Sequence, residues 1–300
     1  MKTTVERISE LKKERNAIIL SHNYQRGEVQ DIADFVGDSL ELSQKAARTE
    51  ADVIVFCGVH FMAETASIIN PDKVVLLPDV NAGCPMANMI TAEELRQKKK
   101  EYPNATVVAY VNTSAAVKAE SDYCCTSANG VRVVGSIKND EIIFVPDQYL
   151  GSFIAAKTGK NLILWPGYCP THVKILPEDI IARKKEHPDA KVVVHPECRP
   201  DVVALADEAL STSGMVRYAA RPEVKELIVG TEVELLHRLK KENPGKKFYP
   251  ASIKAICPNM KKTTPEKILD ALETMEPEVK VPERIRVKAA AAVNRMLEIG

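Results

Sequence analysis

Three cysteines in this chain of 300 residues share a neighbour and a spacing. Cys84, Cys169 and Cys257 each precede a proline, and the intervals between them are 85 and 88 residues. Three thiolates suit a [4Fe-4S] cluster that is bound through three of its irons, so that the fourth iron stays open as a Lewis acid. Neither the proline nor the spacing occurs at the other four cysteines, Cys57, Cys124, Cys125 and Cys198.

Zinc is the alternative metal for such a set of thiols. Structural zinc sites usually draw their ligands from close pairs such as C-x2-C. The nearest approach to that pattern is Cys124-Cys125, in which the two residues are adjacent. The odd total of seven cysteines also fits metal-binding thiols better than a disulfide scaffold. The pattern therefore favours an iron–sulfur cluster over zinc.

The segments that follow the three Cys-Pro pairs are also alike. The ninth residue after each cysteine is a glutamate at the start of a helical pattern, namely Glu93, Glu178 and Glu266. Such an acidic residue faces the positive end of the helix dipole, which favours a helix start. Apolar and β-branched runs predict three buried parallel strands in each unit. These strands are predicted at residues 17–24, 53–59, 73–79, 106–112, 141–147, 161–167, 191–197, 226–232 and 246–252.

This alternation of helices and strands predicts both the fold class and the domains. We expect an α/β protein with three domains related by pseudo-threefold symmetry, each with three αβα layers and a small parallel sheet, around a central cluster site. The first domain is predicted to comprise residues 1–84 together with 258–300, whose helices pack back on it. The second is predicted at residues 85–169 and the third at residues 170–257.

Polar residues recur where one predicted strand of each unit ends. Each pair has i, i+2 spacing, so both side chains lie on one face of the strand. The pairs are His22 with Tyr24, Tyr110 with Asn112, and His195 with Glu197. Ligands of parallel α/β sheets bind beyond the carboxyl ends of the strands. These six residues are therefore predicted to face a common ligand.

Hydroxyl residues follow each of these pairs at an equal interval. Seventeen residues after each first pair member lie Ser39, Ser127 and Thr212, the last with Ser211 beside it. Each hydroxyl is predicted to cap a helix N-terminus. Three helix N-termini that converge on one site favour anions, so we expect substrates with several carboxylates or a phosphate.

The charge and hydropathy of the chain argue against several classes of partner. Lysine plus arginine and aspartate plus glutamate number 41 each, so no overall field favours nucleic acid. No stretch approaches the roughly 20 apolar residues of a membrane span. The N-terminal segment lacks the apolar run of a secretory signal. The sequence therefore predicts a cytoplasmic protein with no nucleic-acid or membrane partner.

The sequence resembles one family closely, quinolinate synthase. The signature blocks of that family are similar to ten segments of this chain, in the same order. They are SHNYQ (21–25), DIADFVGDSL (31–40), FMAE (61–64), CPMAN (84–88), YVNT (110–113), CTSAN (125–129), CPTH (169–172), HPEC (195–198), GTE (230–232) and CPNMKK (257–262). The resemblance covers nearly the whole chain.

The resemblance implies a fold, a cofactor and a reaction. The family has three domains with pseudo-threefold symmetry around one [4Fe-4S] cluster held by three cysteines. Its members condense iminoaspartate (iminosuccinate) with dihydroxyacetone phosphate, and they release phosphate and two waters. The product is quinolinate, the precursor of the pyridine ring of NAD. The resemblance also implies functional coupling to the enzyme that produces iminoaspartate.

The resemblance also assigns roles to residues. The cluster ligands are Cys84, Cys169 and Cys257, and the proton-transfer residues are Tyr24, Tyr110 and Glu197. The substrate contacts are His22, Ser39, Tyr110, Val111, Asn112, Ser127, His172, His195, Pro196, Glu197, Ser211 and Thr212. Relatives often read GSTG or GSTSG where this chain has LSTSG (210–214). Either Ser211 or Thr212 is therefore the main ligand contact in that block.

Two other functions remain as alternatives. A different hydro-lyase would use the open iron on another hydroxyacid. A redox or iron sensor would hold the cluster without catalysis. A sensor has little need for three sets of polar strand-end residues, so the sequence favours an enzyme.

Overall fold

The computed structural model describes residues 2–300 and confirms the α/β fold class. The strands of this part of the chain are β1 (Ala17–His22), β2 (Phe35–Gly37), β3 (Val53–Cys57), β4 (Val74–Leu76), β5 (Thr106–Tyr110), β6 (Tyr123–Cys125), β7 (Glu141–Val145), β8 (Asn161–Leu164), β9 (Lys191–Val194), β10 (Glu208–Ala209), β11 (Glu226–Gly230) and β12 (Lys247–Pro250). They form three sheets of four strands, and every pairing between these strands is parallel.

Helices flank each of the three sheets. They are α1 (Thr4–Glu14), α2 (Gly27–Ile32), α3 (Ser39–Arg48), α4 (His60–Ile69), α5 (Ala92–Glu101), α6 (Ala115–Lys118), α7 (Gly130–Ser136), α8 (Gln148–Thr158), α9 (Pro177–Glu186), α10 (Pro200–Val203), α11 (Thr212–Ala219), α12 (Leu235–Glu242), α13 (Pro265–Thr274) and α14 (Glu283–Ile299). Short 3-10 helices lie at Met86–Asn88, His172–Lys174 and Pro258–Lys261. Each of these begins within three residues after one of the three cysteines.

The three sheets share one strand order. It reads β2-β1-β3-β4 in the first, β6-β5-β7-β8 in the second and β10-β9-β11-β12 in the third. The nine predicted strands are present, and each sheet carries one further edge strand that the sequence did not predict. These edge strands are β2, β6 and β10, which have two or three residues each. The common order supports the threefold repeat inferred from the cysteines.

Both faces of a sheet are covered, as the third sheet illustrates. Along β9, Val193 faces a core formed with α11 and α12, whereas Val192 and Val194 face a core formed with α9 and α10. Successive strand residues point to opposite faces, so a strand buried on both sides is apolar throughout. This burial fixes the positions of the carboxyl ends of the strands and of the residues that follow them.

The two C-terminal helices pack on different parts of the molecule. α13 packs against α1 beside the first sheet, and α14 packs against α4 of the first unit and against α6 and β6 of the second. The domain limits given above remain a prediction. The longest helix in residues 2–300 is α14, with 17 residues, and none of the helices described there is both long and apolar enough to cross a membrane.

Candidate active site

The loops at the carboxyl ends of the three sheets enclose one cavity of about 170 Å³. Most of the residues predicted to act on substrate or cluster line it. They are His22, Tyr24, Ser39, Cys84, Tyr110, Asn112, Ser127, Cys169, His172, His195, Glu197, Thr212 and Cys257. Three further predicted contacts do not line it, namely Val111, Pro196 and Ser211. The repeat thus brings residues from all three units to one place.

The three cysteines present their sulfurs to this cavity as free thiols. Burial raises the pKa of the Cys84 thiol to about 12, and it raises the pKa values of Cys169 and Cys257 as well. Backbone N–H groups at the start of the following 3-10 helix oppose this effect at each sulfur by favouring the thiolate. Their donors are Met86 and Ala87, His172, and Asn259 and Met260, respectively.

This donor set fits an iron–sulfur cluster. Cluster sulfurs are commonly tuned by hydrogen bonds from the protein, and each of the three thiols has backbone donors of that kind. Two buried side chains also form hydrogen bonds with Cys257. Thr171 donates a hydrogen bond to its sulfur, and Glu232 accepts one from its backbone N–H at 3.2 Å. If these thiols lost their protons to bind a metal, the buried thiolates would be poorly solvated, and the positive charge of the bound iron would offset this cost.

A second set of possible metal ligands overlaps the first. One ligand atom each from Cys169, His172 and Glu197 lies within 4.8 Å of the others, and such N, S and O donors suit zinc. This set leaves Cys84 and Cys257 without a role although both line the same cavity. His172 Nε2 is also within hydrogen-bonding distance of the Thr231 hydroxyl, at 2.8 Å. The three cysteines therefore remain the better ligand set.

Two buried histidines have equivalent hydrogen bonds in the first and third units. His22 Nδ1 accepts the backbone N–H of Tyr24 at 3.2 Å, and His195 Nδ1 accepts that of Glu197 at 3.3 Å. Burial lowers the pKa of both histidines to about 3, so both imidazoles are neutral at physiological pH. An Nδ1 that accepts leaves the proton on Nε2. Both rings are therefore fixed as Nε2–H donors.

The hydroxyls of Ser127 and Thr212 are oriented by residues of other units. His195 Nε2 lies 3.1 Å from Ser127 Oγ, and Asn23 Nδ2 donates to Thr212 Oγ1 at 2.8 Å. Each hydroxyl oxygen already accepts a hydrogen bond, so its own proton is available to a ligand in the cavity. Together with His22 they supply neutral donors for carboxylate or phosphate oxygens.

The predicted capping roles of these hydroxyls are only partly right. Ser211 caps α11 by accepting the Gly214 N–H at 3.2 Å, whereas Thr212 is the first helical residue and does not cap. The prediction is wrong for Ser39, because Asp38 caps α3 and Ser39 is the first helical residue. It is also wrong for Ser127, because α7 starts only after Asn129. A carboxylate caps as well as a hydroxyl, so Asp38 leaves the Ser39 hydroxyl free to face the cavity.

Two buried tyrosines border a continuous group of acids and bases. The Tyr110 hydroxyl donates a short hydrogen bond to Glu197 Oε1, and Glu197 Oε2 lies 2.7 Å from His172 Nδ1. On the other side of His172, the Tyr24 hydroxyl lies 2.6 Å from Thr231 Oγ1 and 3.3 Å from His172 Nε2. Glu197 and His172 thus lie between the two tyrosines, although the contact of His172 Nδ1 with Glu197 does not have hydrogen-bond geometry.

The protonation states in this group follow from burial and contacts. Burial raises the pKa values of Tyr24 and Tyr110 well above their usual range, so both phenols stay protonated. Burial also opposes ionisation of Glu197, but His172, His195 and the Tyr110 hydroxyl outweigh it and hold its pKa below the usual range. The site therefore contains two phenolic donors and one carboxylate that can accept a proton.

Comparison with known proteins identifies the family. A family model described as "Quinolinate synthetase A protein" matches residues 6–298. The chain belongs to this family. It is 64% identical over 293 residues to the "Quinolinate synthase" of Dehalococcoides mccartyi (strain CBDB1), a match that covers 98% of this chain and 97% of the relative.

Two other relatives are also similar over nearly their whole length. The chain is 61% identical over 297 residues to the "Quinolinate synthase" of Thermodesulfovibrio yellowstonii, covering 99% of this chain and 98% of the relative. It is 58% identical over 294 residues to "Quinolinate synthase 2" of Methanosarcina acetivorans, covering 98% and 95%. As a member of the quinolinate synthetase A family, the chain is an enzyme of NAD biosynthesis.

The residues of this quinolinate synthetase A site that were not singled out from the sequence include three with polar side chains of clear position. Asn23 orients Thr212, Thr231 bridges Tyr24 and His172, and Asp38 lines the cavity. All three lie within or beside segments that resemble the family's blocks. Their amide, hydroxyl and carboxylate groups were the available signal, but Thr212, the partner of Asn23, and Tyr24, a partner of Thr231, lie in other units.

Loss of the Asn23 amide should weaken substrate binding. In an Asn23→Ala variant, the Thr212 hydroxyl loses its donor and also loses its fixed orientation. One hydrogen bond of this kind contributes about 1 kcal/mol, so we expect the KM for one substrate to rise roughly fivefold with little change in kcat. Steady-state kinetics measure both constants. Asn243→Ala is the matched control, because the Asn243 amide contacts the Leu239 carbonyl at the end of α12. An unchanged KM for both substrates would contradict the assignment.

Proposed function

We propose that this chain condenses iminoaspartate with dihydroxyacetone phosphate to give quinolinate, with release of phosphate and two waters. We propose that Cys84, Cys169 and Cys257 bind a [4Fe-4S] cluster for this reaction. One observation carries the proposal: three cysteines from three repeated units line one cavity together with neutral hydrogen-bond donors. The reaction balances in atoms and electrons without any oxidant or reductant, so it needs no external redox partner.

The donors of the cavity suit the two anionic substrates. Iminoaspartate carries two carboxylates, and dihydroxyacetone phosphate carries a phosphate. The His22 Nε2–H and the Ser127 and Thr212 hydroxyls can each donate to such oxygens. Lys174 is exposed, also lines the cavity and adds a positive charge that attracts anions. We assign binding and orientation of the substrates to these groups.

Proton transfer is assigned to the buried acids and bases. Glu197 accepts a proton from substrate carbon or nitrogen, because it is ionised and its Oε1 faces the Tyr110 hydroxyl. Tyr24 and Tyr110 donate protons to leaving oxygens, and Thr231 and His172 return a proton to Tyr24. A bound cluster would supply a Lewis-acidic iron that assists the departure of hydroxyl groups.

The proposal is tested by analysis of an anaerobic preparation. We expect about four iron and about four sulfide per chain, and we expect quinolinate only when both iminoaspartate and dihydroxyacetone phosphate are supplied. Liquid chromatography with mass detection identifies the product. A fully loaded cluster with no quinolinate would overturn the proposed reaction and would favour another hydro-lyase or a sensor. Quinolinate formation at undetectable iron would overturn the cluster assignment instead.

Coupling to the enzyme that produces iminoaspartate is a further part of the proposal. Iminoaspartate hydrolyses in water because an imine without a stabilising group reacts readily with solvent. Direct transfer would limit this loss. It would appear as a higher yield of quinolinate when the two enzymes are mixed than when iminoaspartate is generated in a separate vessel.

A further inference from the structure

Asp38 carries an oxygen that the fold does not use. Its Oδ1 accepts the backbone N–H groups of Leu40 and Glu41, both at 3.0 Å, and thereby caps α3. Its Oδ2 is buried and has no hydrogen-bond partner among residues 2–300. The residue is 5% exposed and lines the cavity. An unpaired buried carboxylate oxygen is costly, so a ligand that donates to it is expected.

The repeat shows that capping does not require this second oxygen. The residues equivalent to Asp38 are Thr126 in the second unit and Ser211 in the third, each directly before the cavity-lining hydroxyl. Thr126 Oγ1 accepts the Ala128 N–H at 3.1 Å, and Ser211 Oγ accepts the Gly214 N–H at 3.2 Å. A hydroxyl is therefore sufficient as the helix cap in the third unit, and in the second unit, where the helix starts later, a hydroxyl accepts a backbone N–H at the same position. The first unit instead has a carboxylate with a surplus acceptor.

The charge of Asp38 is unexpected in a cavity for anions. The neighbouring groups donate hydrogen bonds, and a carboxylate placed among them repels the carboxylates and phosphate of the proposed substrates. It can be favourable only if the bound molecule also brings a donor. Each proposed substrate has one, because dihydroxyacetone phosphate carries a hydroxyl and iminoaspartate carries an N–H.

We propose that Asp38 Oδ2 accepts a hydrogen bond from a hydroxyl or N–H donor of the substrate and so determines specificity in this cavity. This inference rests on the proposed function and names a contact within it. The same contact also distinguishes the substrates from the product. Quinolinate with an unprotonated ring nitrogen has two carboxylates and no donor, so Asp38 repels it. The residue therefore favours release of the product once both waters have left.

Matched ligands distinguish the two sources of the donor. Hydroxyacetone phosphate differs from dihydroxyacetone phosphate by the loss of one hydroxyl. Succinate differs from L-aspartate by the loss of the amino group, a stable stand-in for the imine nitrogen. The dissociation constants of these four molecules and of quinolinate can be measured by anaerobic calorimetry on the holoenzyme. The variant is Asp38→Asn, because asparagine caps a helix as well as aspartate does.

The wild-type protein should bind the donor-bearing member of at least one pair about tenfold more tightly than its partner. In Asp38→Asn the ratio of the two dissociation constants of that pair should fall towards one. Quinolinate should bind about tenfold more tightly than in the wild type because the repulsion from the Asp38 carboxylate is gone. The ligand pair whose ratio of dissociation constants falls in the variant shows whether the donor to Asp38 is the hydroxyl or the nitrogen. Asp38→Ser, which keeps a hydroxyl cap, should behave in the same way. Asp270→Asn on the exposed face of α13 is the control and should change neither ratio.

The result that overturns the inference is specific. If Asp38→Asn keeps the melting temperature and iron content of the wild type but changes neither ratio nor the affinity for quinolinate, then Asp38 has no role beyond capping. If the wild-type holoenzyme neither binds dihydroxyacetone phosphate nor forms quinolinate, the proposed function fails and this inference fails with it. The two failures are distinguished by the wild-type measurements alone.

Discussion

Replacement of Cys169 by alanine is expected to remove most of the protein-bound iron and to lower quinolinate formation at least about 100-fold. The magnitude follows from metal sites in general, where loss of a residue that only supports a ligand already costs about 10- to 100-fold. Cys169 is a proposed ligand itself, and its sulfur faces the cavity beside Glu197 and His172. Iron and sulfide analysis, together with an anaerobic assay, measures both effects.

The matched control is Cys57→Ala. Cys57 is a buried free thiol on β3, but it packs in an apolar core and does not line the cavity. We expect this variant to keep its iron and its turnover. Near-normal iron and activity in Cys169→Ala would refute the ligand assignment. Equal losses in both variants would point to a general effect of thiol removal on folding.

Glu197→Gln is expected to lower kcat by about 10²- to 10⁴-fold, the range for loss of a general base. Glutamine keeps the shape of the side chain, and its carbonyl can still accept the Tyr110 hydroxyl. The variant therefore loses mainly the charge and the basicity of Glu197. Because the carboxylate is buried and lies 2.7 Å from His172 Nδ1, bulk water cannot easily take its place. Single-turnover kinetics under anaerobic conditions measure the chemical step.

Two measurements separate a catalytic effect from a structural one. Iron content and melting temperature should stay near the wild-type values in Glu197→Gln. Glu178→Gln provides a control on the exposed surface of α9 and should keep full activity. A kcat within threefold of the wild type would exclude Glu197 as the base. A large loss of iron would instead indicate that the residue supports the cluster site.

The repeat explains why much of the site could be predicted from the sequence. Nearly equal intervals of 85 and 88 residues between the cysteines, the strand-end pairs and the hydroxyls placed these residues at equivalent positions of three units. Equivalent positions converge when they lie close to a pseudo-threefold axis, and the loops at the strand ends bring these residues to one cavity. Thirteen of the predicted residues do line one cavity, from His22 in the first unit to Cys257 in the third.

The three edge strands could not be predicted for a physical reason. β10 has two residues and β2 and β6 have three, which is too short for any hydropathy period to appear. Their existence depends on hydrogen bonds to a neighbouring strand, such as the parallel pairing of Phe35 with Leu20. Such pairing is a property of the folded sheet and not of the local sequence.

The supporting contacts of the site were missed because they join distant parts of the chain. Asn23 and Thr212 are separated by 189 positions, and Tyr24 and Thr231 by 207. No local pattern links such residues. The choice of Asp38 over Ser39 as the cap of α3 has a different origin, since both residue types cap helices well and the backbone geometry decides between them.

The contacts between units also make the binding site a property of the whole chain. Asn23 of the first unit donates a hydrogen bond to the Thr212 hydroxyl of the third unit. His195 of the third unit contacts the Ser127 hydroxyl of the second. A fragment that contained one sheet would still carry its cysteine and its hydroxyl, but separating the first and second sheets would open the apolar core that they share. Those groups would face solvent without their orienting partners. Substrate recognition is thus cooperative with docking of the three sheets, and a ligand that binds the cavity should protect all three from unfolding together.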